Sequence, residues 1–378
     1  AWAGVSGPYL QIVAADTQGH ILQQLAGAVP VRQHGAGRLP SPGADSRWAW
    51  RGFRQLPTRL RRFDPDEGFV AAANHDPFTE GDYPQSLAVP GEFASPWRVR
   101  RIRRALAMRE DWGVRDSLEL QSDVASGLAV ALLAQLRTDL EAHGGESAGV
   151  LMEWDGRMTP ESRAAHVFSR LLIALGAAIG NDEAAQVGLT SSPIGAAETL
   201  RLMAGGLDAG WWDDVTTQDS EDRDIVIRQV LDELDGLGLE EPWGRVHRTS
   251  FEHPFRAAPV LGRWFGRSWS RGPYEVGGDA ATVNAHYWRS HEPFEVAAIP
   301  SARFITDVGN WDETVLVLPV GQSGRPWSPH YADQLKAWLY VEPLMFPFSR
   351  EAVDAVAVSR LTLLPKVEQG VGDPPGSM

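Results

Sequence analysis

Gly321-Gln322-Ser323-Gly324-Arg325-Pro326-Trp327-Ser328-Pro329-His330-Tyr331-Ala332-Asp333-Gln334 lies between an apolar run, residues 315–320, and an aromatic-rich helical pattern that starts at Leu335. Glycine and proline together fix one loop path. The polar groups between them need partners wherever that path is buried. The run therefore reads as a polar network that locks a loop beneath a sheet. Ser328, His330 and Asp333 are the residue types of a hydrolase triad. A triad is a spatial geometry, however, and close spacing in sequence does not make one. Gly321-Gln322-Ser323-Gly324 also lacks the final glycine spacing of a nucleophile elbow.

Working outward, residues 70–84 read Val-Ala-Ala-Ala-Asn-His-Asp-Pro-Phe-Thr-Glu-Gly-Asp-Tyr-Pro. Residues 68–73 read as a short apolar strand ending at Asn74, followed by a turn-rich loop. Residues 95–102, Ser-Pro-Trp-Arg-Val-Arg-Arg-Ile, then open a basic helix. By itself an Asn at a strand end caps the strand or makes a local turn. Arg98 could likewise belong to a solvated face with Arg100, Arg101, Arg103 and Arg104, or those four could be structural ion-pair donors. His75 follows Asn74 directly and points the other way on an extended chain, so it reads as structural. Asp76, Glu80 and Asp82 are acidic without calcium-loop spacing.

Further short motifs follow along the chain: Ala15-Asp16 with Gly19, Val29-Pro30-Val31-Arg32, Gln121-Ser122-Asp123, Trp154-Asp155-Gly156, Trp243-Gly244-Arg245-Val246-His247, and Gly277-Gly278-Asp279 with Thr282-Val283-Asn284. In this order, and with the two segments above, the chain resembles the penicillin acylase family of N-terminal-nucleophile amidohydrolases across residues 11–347. The resemblance implies an α+β fold: the family's four-layer αββα sandwich, here incomplete and with a helical middle insertion. It implies hydrolysis of a carboxamide through an acyl-enzyme, with β-lactam side chains or N-acyl homoserine lactones as candidate small-molecule substrates. Asn74 matches the family's oxyanion-hole Asn, and Arg98 matches the Arg beside it. No cofactor is implied; structural calcium occurs in several members and stays open here. Members are typically periplasmic or secreted.

The family nucleophile is a Ser at the start of the large chain, whereas residue 1 here is Ala. The hairpin at 10–27 resembles a segment well inside that large chain. The expectation is a C-terminal part of the large chain, inactive alone. Its partners would be the missing N-terminal part and the small chain of the same precursor. Ser6, as a substitute nucleophile, sits in a Val-Ser-Gly-Pro context that suits a connecting loop. The rival reading is a non-catalytic binding protein on the same scaffold.

Composition agrees with a folded globular chain: 378 residues, 43% hydrophobic and 22% charged. A net charge of −14 argues against nucleic acid as partner, since phosphate binding needs clustered cations. The chain has no cysteine, so it can hold no disulfide or thiolate site. The apolar runs at 127–136 and 171–179 are too short to span a bilayer, so no membrane partner is expected. His286 and His291 offer no third ligand for a metal site. Fifteen tryptophans include the close pairs Trp48/Trp50 and Trp211/Trp212, which suit core packing or an acyl pocket.

Residues 1–365 read as one domain, mainly helical over 111–240, with a tail at 366–378. A hairpin is expected at 10–27 and irregular structure over 33–67. Helices are expected over 98–108 and 118–142, the latter capped at Asp116-Ser117. A further helix starts at Thr159-Pro160, and another runs over 222–239. Strands are expected at 294–299, 303–308, 314–318 and 361–364.

Overall fold

Ser126 and Ser162 start the two longest helices among the described residues. Each hydroxyl accepts the backbone N–H three residues on, from Ala129 at 3.2 Å and from Ala165 at 3.1 Å. The computed structural model describes residues 10–35, 40–54, 60–85, 93–190, 194–205, 208–260, 262–289 and 292–364. Ser6, His291 and the tail 366–378 lie outside the described residues. The first eight helices are α1 Trp97–Leu106, α2 Val114–Gln121, α3 Gly127–His143, α4 Glu146–Met152, α5 Arg163–Gln186, α6 Ala196–Met203, α7 Arg223–Gly236 and α8 Trp243–Val246.

The helix expected over 118–142 is therefore two. The break falls where Asp123 accepts the Ala125 N–H at 2.8 Å and Ser126 begins a new cap. Asp116 is not a cap but lies inside α2, reaching back to the Gly113 N–H at 2.8 Å. The expected start at Thr159-Pro160 moves to Ser162. Asp222, the first residue of the helix expected over 222–239, caps α7 and accepts from Ile225 at 2.9 Å.

One continuous core joins α3 to α8. Leu132, Leu136, Phe168, Leu171, Leu175, Val230 and Leu231 are all buried in it. Full burial of each such side chain stabilises the fold by about 1.5–3 kcal/mol. Within its 24 residues α5 is long and apolar enough to cross a membrane, longer than the runs expected from sequence. It is nevertheless the central helix of this core, packed against α4, α6, α7 and α8.

The strands are β1 Leu10–Ala15, β2 Ile21–Ala26, β3 Val29–Arg32, β4 Trp50–Arg54, β5 Arg61–Phe63, β6 Arg248–Phe251, β7 Arg271–Glu275, β8 Tyr287–Arg289, β9 Glu292–Ala298, β10 Arg303–Asp307, β11 Asn310–Val317 and β12 Leu344–Met345. Among the described residues they form sheets ordered β1-β2-β5, β3-β4, β7-β6-β9-β8 and β10-β11-β12. Pairing is antiparallel except for β6 with β9. Helices between and around small sheets make the fold α+β.

Two expected strands are absent. Residues 361–364 form none; Leu361, Leu363 and Leu364 are exposed. Residues 68–73 form none either: the chain runs as a loop, with an isolated bridge from His75 to Ala94. The loop is held by packing, because Ala71, Ala73 and Val99 make a small core of their own, flanked by Ile102.

Residues 321–334 differ from expectation too. Most are exposed or half-exposed, including Trp327 at 76%. The loop is laced to itself instead: Ser323 N–H donates to the His330 carbonyl at 3.0 Å, and Gln334 accepts from Leu318 N–H at 2.9 Å. A side chain at Gly321 would stand 2.3 Å from the His330 carbonyl oxygen, which explains the glycine.

Candidate active site

Docking of Val99 against Ala73 brings the start of α1 beside the 71–76 loop. That contact places Arg98 on Asn74. One guanidinium nitrogen, Nη2, donates both to the Ala73 carbonyl at 2.9 Å and to Asn74 Oδ1 at 3.2 Å. Since a guanidinium only donates, it fixes the amide with Oδ1 inward. The Asn74 Nδ2 group is left as a donor pair on an exposed side chain. Asn74 sits at φ +60°, a left-handed conformation that non-glycine residues adopt seldom and Asn most readily. Its own carbonyl accepts the Ala94 N–H at 2.8 Å. Burial lowers the pKa of Arg98, and its Nε is buried without a protein acceptor.

Beneath Asn74 lies a buried polar hub. His75 is fully buried, and its Nε2 donates to Asp82 Oδ2 at 2.7 Å. Arg62 reaches Asp82 at 3.0 Å, Gln23 at 3.2 Å, and Arg103 also pairs with it. Arg100 pairs with Glu80 and Arg101 with Asp123. The basic helix is thus not one solvated face: Arg100, Arg101 and Arg103 are ion-pair donors, while Arg104 is exposed. The acids of this loop are equally engaged. Asp76 accepts from Phe78 N–H and the Thr79 hydroxyl, and Glu80 and Asp82 face arginines. These residues do not fit a calcium cage, and no group of three or more His, Asp or Glu among the described residues is placed to hold a metal ion.

The Ser328–His330–Asp333 run makes no triad geometry. Ser328 Oγ accepts the backbone N–H of His330 at 3.1 Å, capping a short turn. The His330 ring pairs with Asp333 at 2.8 Å on the exposed surface.

A second polar cluster escaped sequence reasoning and lies in the core. Trp243 Nε1 donates to the Gly278 carbonyl at 3.1 Å and its ring stacks on His247. His247 Nδ1 bonds the Phe294 carbonyl at 2.9 Å, and His286 Nδ1 bonds the Gly277 carbonyl at 2.8 Å. Burial pushes His247 down to about 4 and His286 down to about 3, the latter helped by neighbouring His247. Burial raises Asp279 to about 6, against two backbone N–H bonds from Ala281 and Thr282. Gly278, at φ +78°, must be glycine because a Cβ would stand 2.1 Å from the Asn284 carbonyl oxygen. The Trp243–His247 and Gly277–Asn284 motifs thus fold against each other as one structural unit. Of the tryptophan pairs, Trp212 is in the helical core, while Trp50 is exposed and edge-on to Phe53.

Comparison with known proteins identifies the family. Residues 1–355 match the family described as penicillin amidase. The chain is 30% identical to acyl-homoserine lactone acylase QuiP of Pseudomonas aeruginosa, over 94% of this chain and 46% of that protein. It is 29% identical to penicillin acylase 2 proenzyme of Pseudomonas sp. strain SE83, over 93% of this chain and 46% of that protein. The chain spans about half the length of the curated relatives it matches. Among solved structures, a thermostable penicillin G acylase from Alcaligenes faecalis superposes with a TM-score of 0.55 at 16% identity. That match covers 94% of this chain and 67% of the other, and it shows a shared fold.

Proposed function

Because this chain belongs to the penicillin amidase family, we propose that it carries the oxyanion-binding part of an amidohydrolase whose nucleophile is an N-terminal Ser outside these 378 residues. The observation that carries the reading is the Arg98 clamp: Nη2 holds both the Ala73 carbonyl and Asn74 Oδ1, which turns the Asn74 Nδ2 donors outward. In the proposed reaction the terminal Ser hydroxyl attacks the amide carbonyl, and its own amine takes the proton. Negative charge gathers on the former carbonyl oxygen, and Asn74 Nδ2 donates to it there. A neutral amide gains most when that charge develops, so it stabilises the transition state more than bound substrate. The guanidinium of Arg98 disfavours a proton on a neighbouring amine and so keeps that amine in the neutral form that can accept one. The tetrahedral species then expels the amine, which takes up a proton, and water releases the acyl group.

Substrates in this reading are amides with an apolar acyl group on a polar amine, N-acyl homoserine lactones or β-lactam side chains. The remaining part of the large chain and a small chain of one precursor complete a four-layer sandwich and its acyl pocket, in the periplasm or outside the cell. The 378 residues alone are expected to be inert toward chromogenic amides.

The test is kinetic, on the full-length gene product. Turnover of an N-acyl homoserine lactone and of a phenylacetyl amide is measured for the unaltered protein and for Asn74→Ala. The expected result is a fall in kcat of about 10²–10³ with KM nearly unchanged and an unaltered melting temperature. Near-normal turnover by Asn74→Ala, or no amide hydrolysis by the unaltered protein, overturns the proposal. Turnover by the isolated chain that Ser328→Ala abolishes would replace it with a local triad.

A further inference from the structure

His75 neighbours Asn74 in sequence but faces away from it, into the protein. Its ring is fully buried, and both ring nitrogens have partners of defined role. Nδ1 stands 3.3 Å from the Ala73 backbone N–H, which can only donate, so Nδ1 accepts. Nε2 stands 2.7 Å from Asp82 Oδ2, a carboxylate oxygen, so Nε2 carries the hydrogen. Arg103 Nη2 is 3.5 Å from the same nitrogen, too far to compete. The two contacts together hold the imidazole with its hydrogen on Nε2.

Asp82 is itself fixed. Arg62 and Arg103 both pair with Oδ1, and Gln23 from β2 donates to Oδ2 at 3.2 Å. Gln23 also accepts from Arg62 at 3.1 Å and donates to Gln11 of β1 at 2.7 Å. Gln11 in turn donates to the His75 carbonyl at 3.3 Å. The hub thus returns to the backbone on both sides of Asn74, at Ala73 N–H and at the His75 carbonyl. Arg98 holds the Ala73 carbonyl and Ala94 holds the Asn74 carbonyl. A left-handed Asn costs conformational energy and persists only where its neighbours over-determine it. Here the neighbours that do so are the imidazole below and the guanidinium beside.

We propose that His75, oriented by Asp82, is a positioning residue that holds the left-handed turn of Asn74 and so aims the Asn74 amide. The inference rests on the reading of Asn74 as the oxyanion donor. The imidazole does not touch the reacting atoms in this account. It acts through the Ala73 N–H, one peptide before the donor. Displacement of such a donor by about 1 Å can cost about 10² in rate.

Two substitutions separate positioning from packing. His75→Phe keeps a planar ring but has neither an acceptor for Ala73 N–H nor a donor for Asp82. His75→Asn places its Oδ1 close to where Nδ1 stands and so restores the acceptor. Kinetics of the full-length protein are expected to show kcat reduced about 10²-fold in His75→Phe with KM little changed, and substantial recovery in His75→Asn. In the double variant Asn74→Ala/His75→Phe, kcat should fall no further than in Asn74→Ala alone, because the residue being positioned is already gone. Additive losses, or equal losses in His75→Phe and His75→Asn, would overturn the positioning role. A crystal structure of His75→Phe gives a readout independent of activity: Asn74 should leave φ near +60° and lose its contact with Arg98. An unchanged Asn74 there refutes the inference directly. If Asn74→Ala alone is kinetically silent, the oxyanion reading has failed instead, and the crystal structure still decides what His75 does to the turn.

Discussion

The helical middle of the chain and the sheet-bearing flanks are stabilised by different physics. Between α3 and α8 the buried side chains are almost all apolar and touch in one continuous core. Around Asn74 the apolar core divides into two small clusters, Ala71, Ala73 and Val99 in one and Leu25, Val29, Leu60, Phe78 and Tyr83 in the other. The loop there is held by a carboxylate, two arginines, a histidine and two glutamines. The neighbouring sheets leave Leu10, Val13, Trp50, Phe53 and Phe63 exposed. Apolar packing is non-directional and tolerates adjustment. A charged, hydrogen-bonded hub fixes angles, which the proposed role of Asn74 as an oxyanion donor requires. The region with less hydrophobic stabilisation is the one with more geometric constraint.

The sharpest way to break this contrast is to remove the centre of the hub. Asp82→Ala leaves Arg62, Arg103 and His75 facing a vacated buried site. Breaking such a network typically costs about 3–5 kcal/mol. Urea unfolding should show a loss of this size, and a change below about 1 kcal/mol would mean the hub is ornamental to the fold. In the helical core, Leu171→Ala should cost about 2–5 kcal/mol by cavity formation. Phe53→Ala, on the exposed sheet face, should stay within about 0.5 kcal/mol. Equal costs at Leu171 and Phe53 would erase the distinction between the regions.

A pH series sharpens the comparison next. His247 and His286 have folded values of about 4 and about 3, below the ordinary 6.5. The unfolded chain therefore binds the extra protons, and stability falls as pH drops from 6.5 toward 4. Asp279 has the opposite sign. Its folded value of about 6 lies above the ordinary 3.8, so the folded form binds the extra proton, and its contribution is lost as pH rises from 3.8 through 6. With two groups against one, this cluster makes the fold less stable in acid, by up to about 1.4 kcal/mol per pH unit for each net proton. Imidazole NMR titration should find both rings neutral at pH 5. Asp279→Asn should gain stability over the unaltered protein as pH rises from 4 to 6, and the absence of that gain would exclude the buried-acid assignment.

The smallest effect separates two neighbours on α1. Arg101→Ala loses its pair with Asp123 and should cost about 1 kcal/mol. Arg104→Ala, at an exposed position, should be silent in thermal melts.

What was legible in the sequence was local or short-ranged. Asp222 sits where a helix start was expected, the start expected at Thr159-Pro160 falls three residues later at Ser162, and the hairpin β1–β2 follows its turn residues Asp16–Gly19. The break between α2 and α3 was missed because the apolar pattern runs on through it. Asp123 and Ser126 interrupt that pattern by binding backbone amides. Residues 68–73 carry a strand's composition without a strand partner, so they stay a loop. At the site, Asn74 and Arg98 were named from sequence and lie in contact. The hub beneath them was not foreseen, since Gln11, Gln23, Arg62 and Asp82 come from four separate segments.

The sequence alone determined the α+β character and the residue types at the turn, because those depend on side-chain chemistry and near-neighbour spacing, and the order of its motifs carried the resemblance to the family. Only the tertiary structure decided that Arg98 turns the Asn74 amide outward, that His75 faces Asp82, and that Arg101 and Arg103 are paired while Arg104 is free to meet solvent. The reason is physical. Which donor meets which acceptor across 7 to 25 residues is set by how Val99 packs on Ala73 and how β1 and β2 pair beneath the loop, and no local pattern encodes either contact.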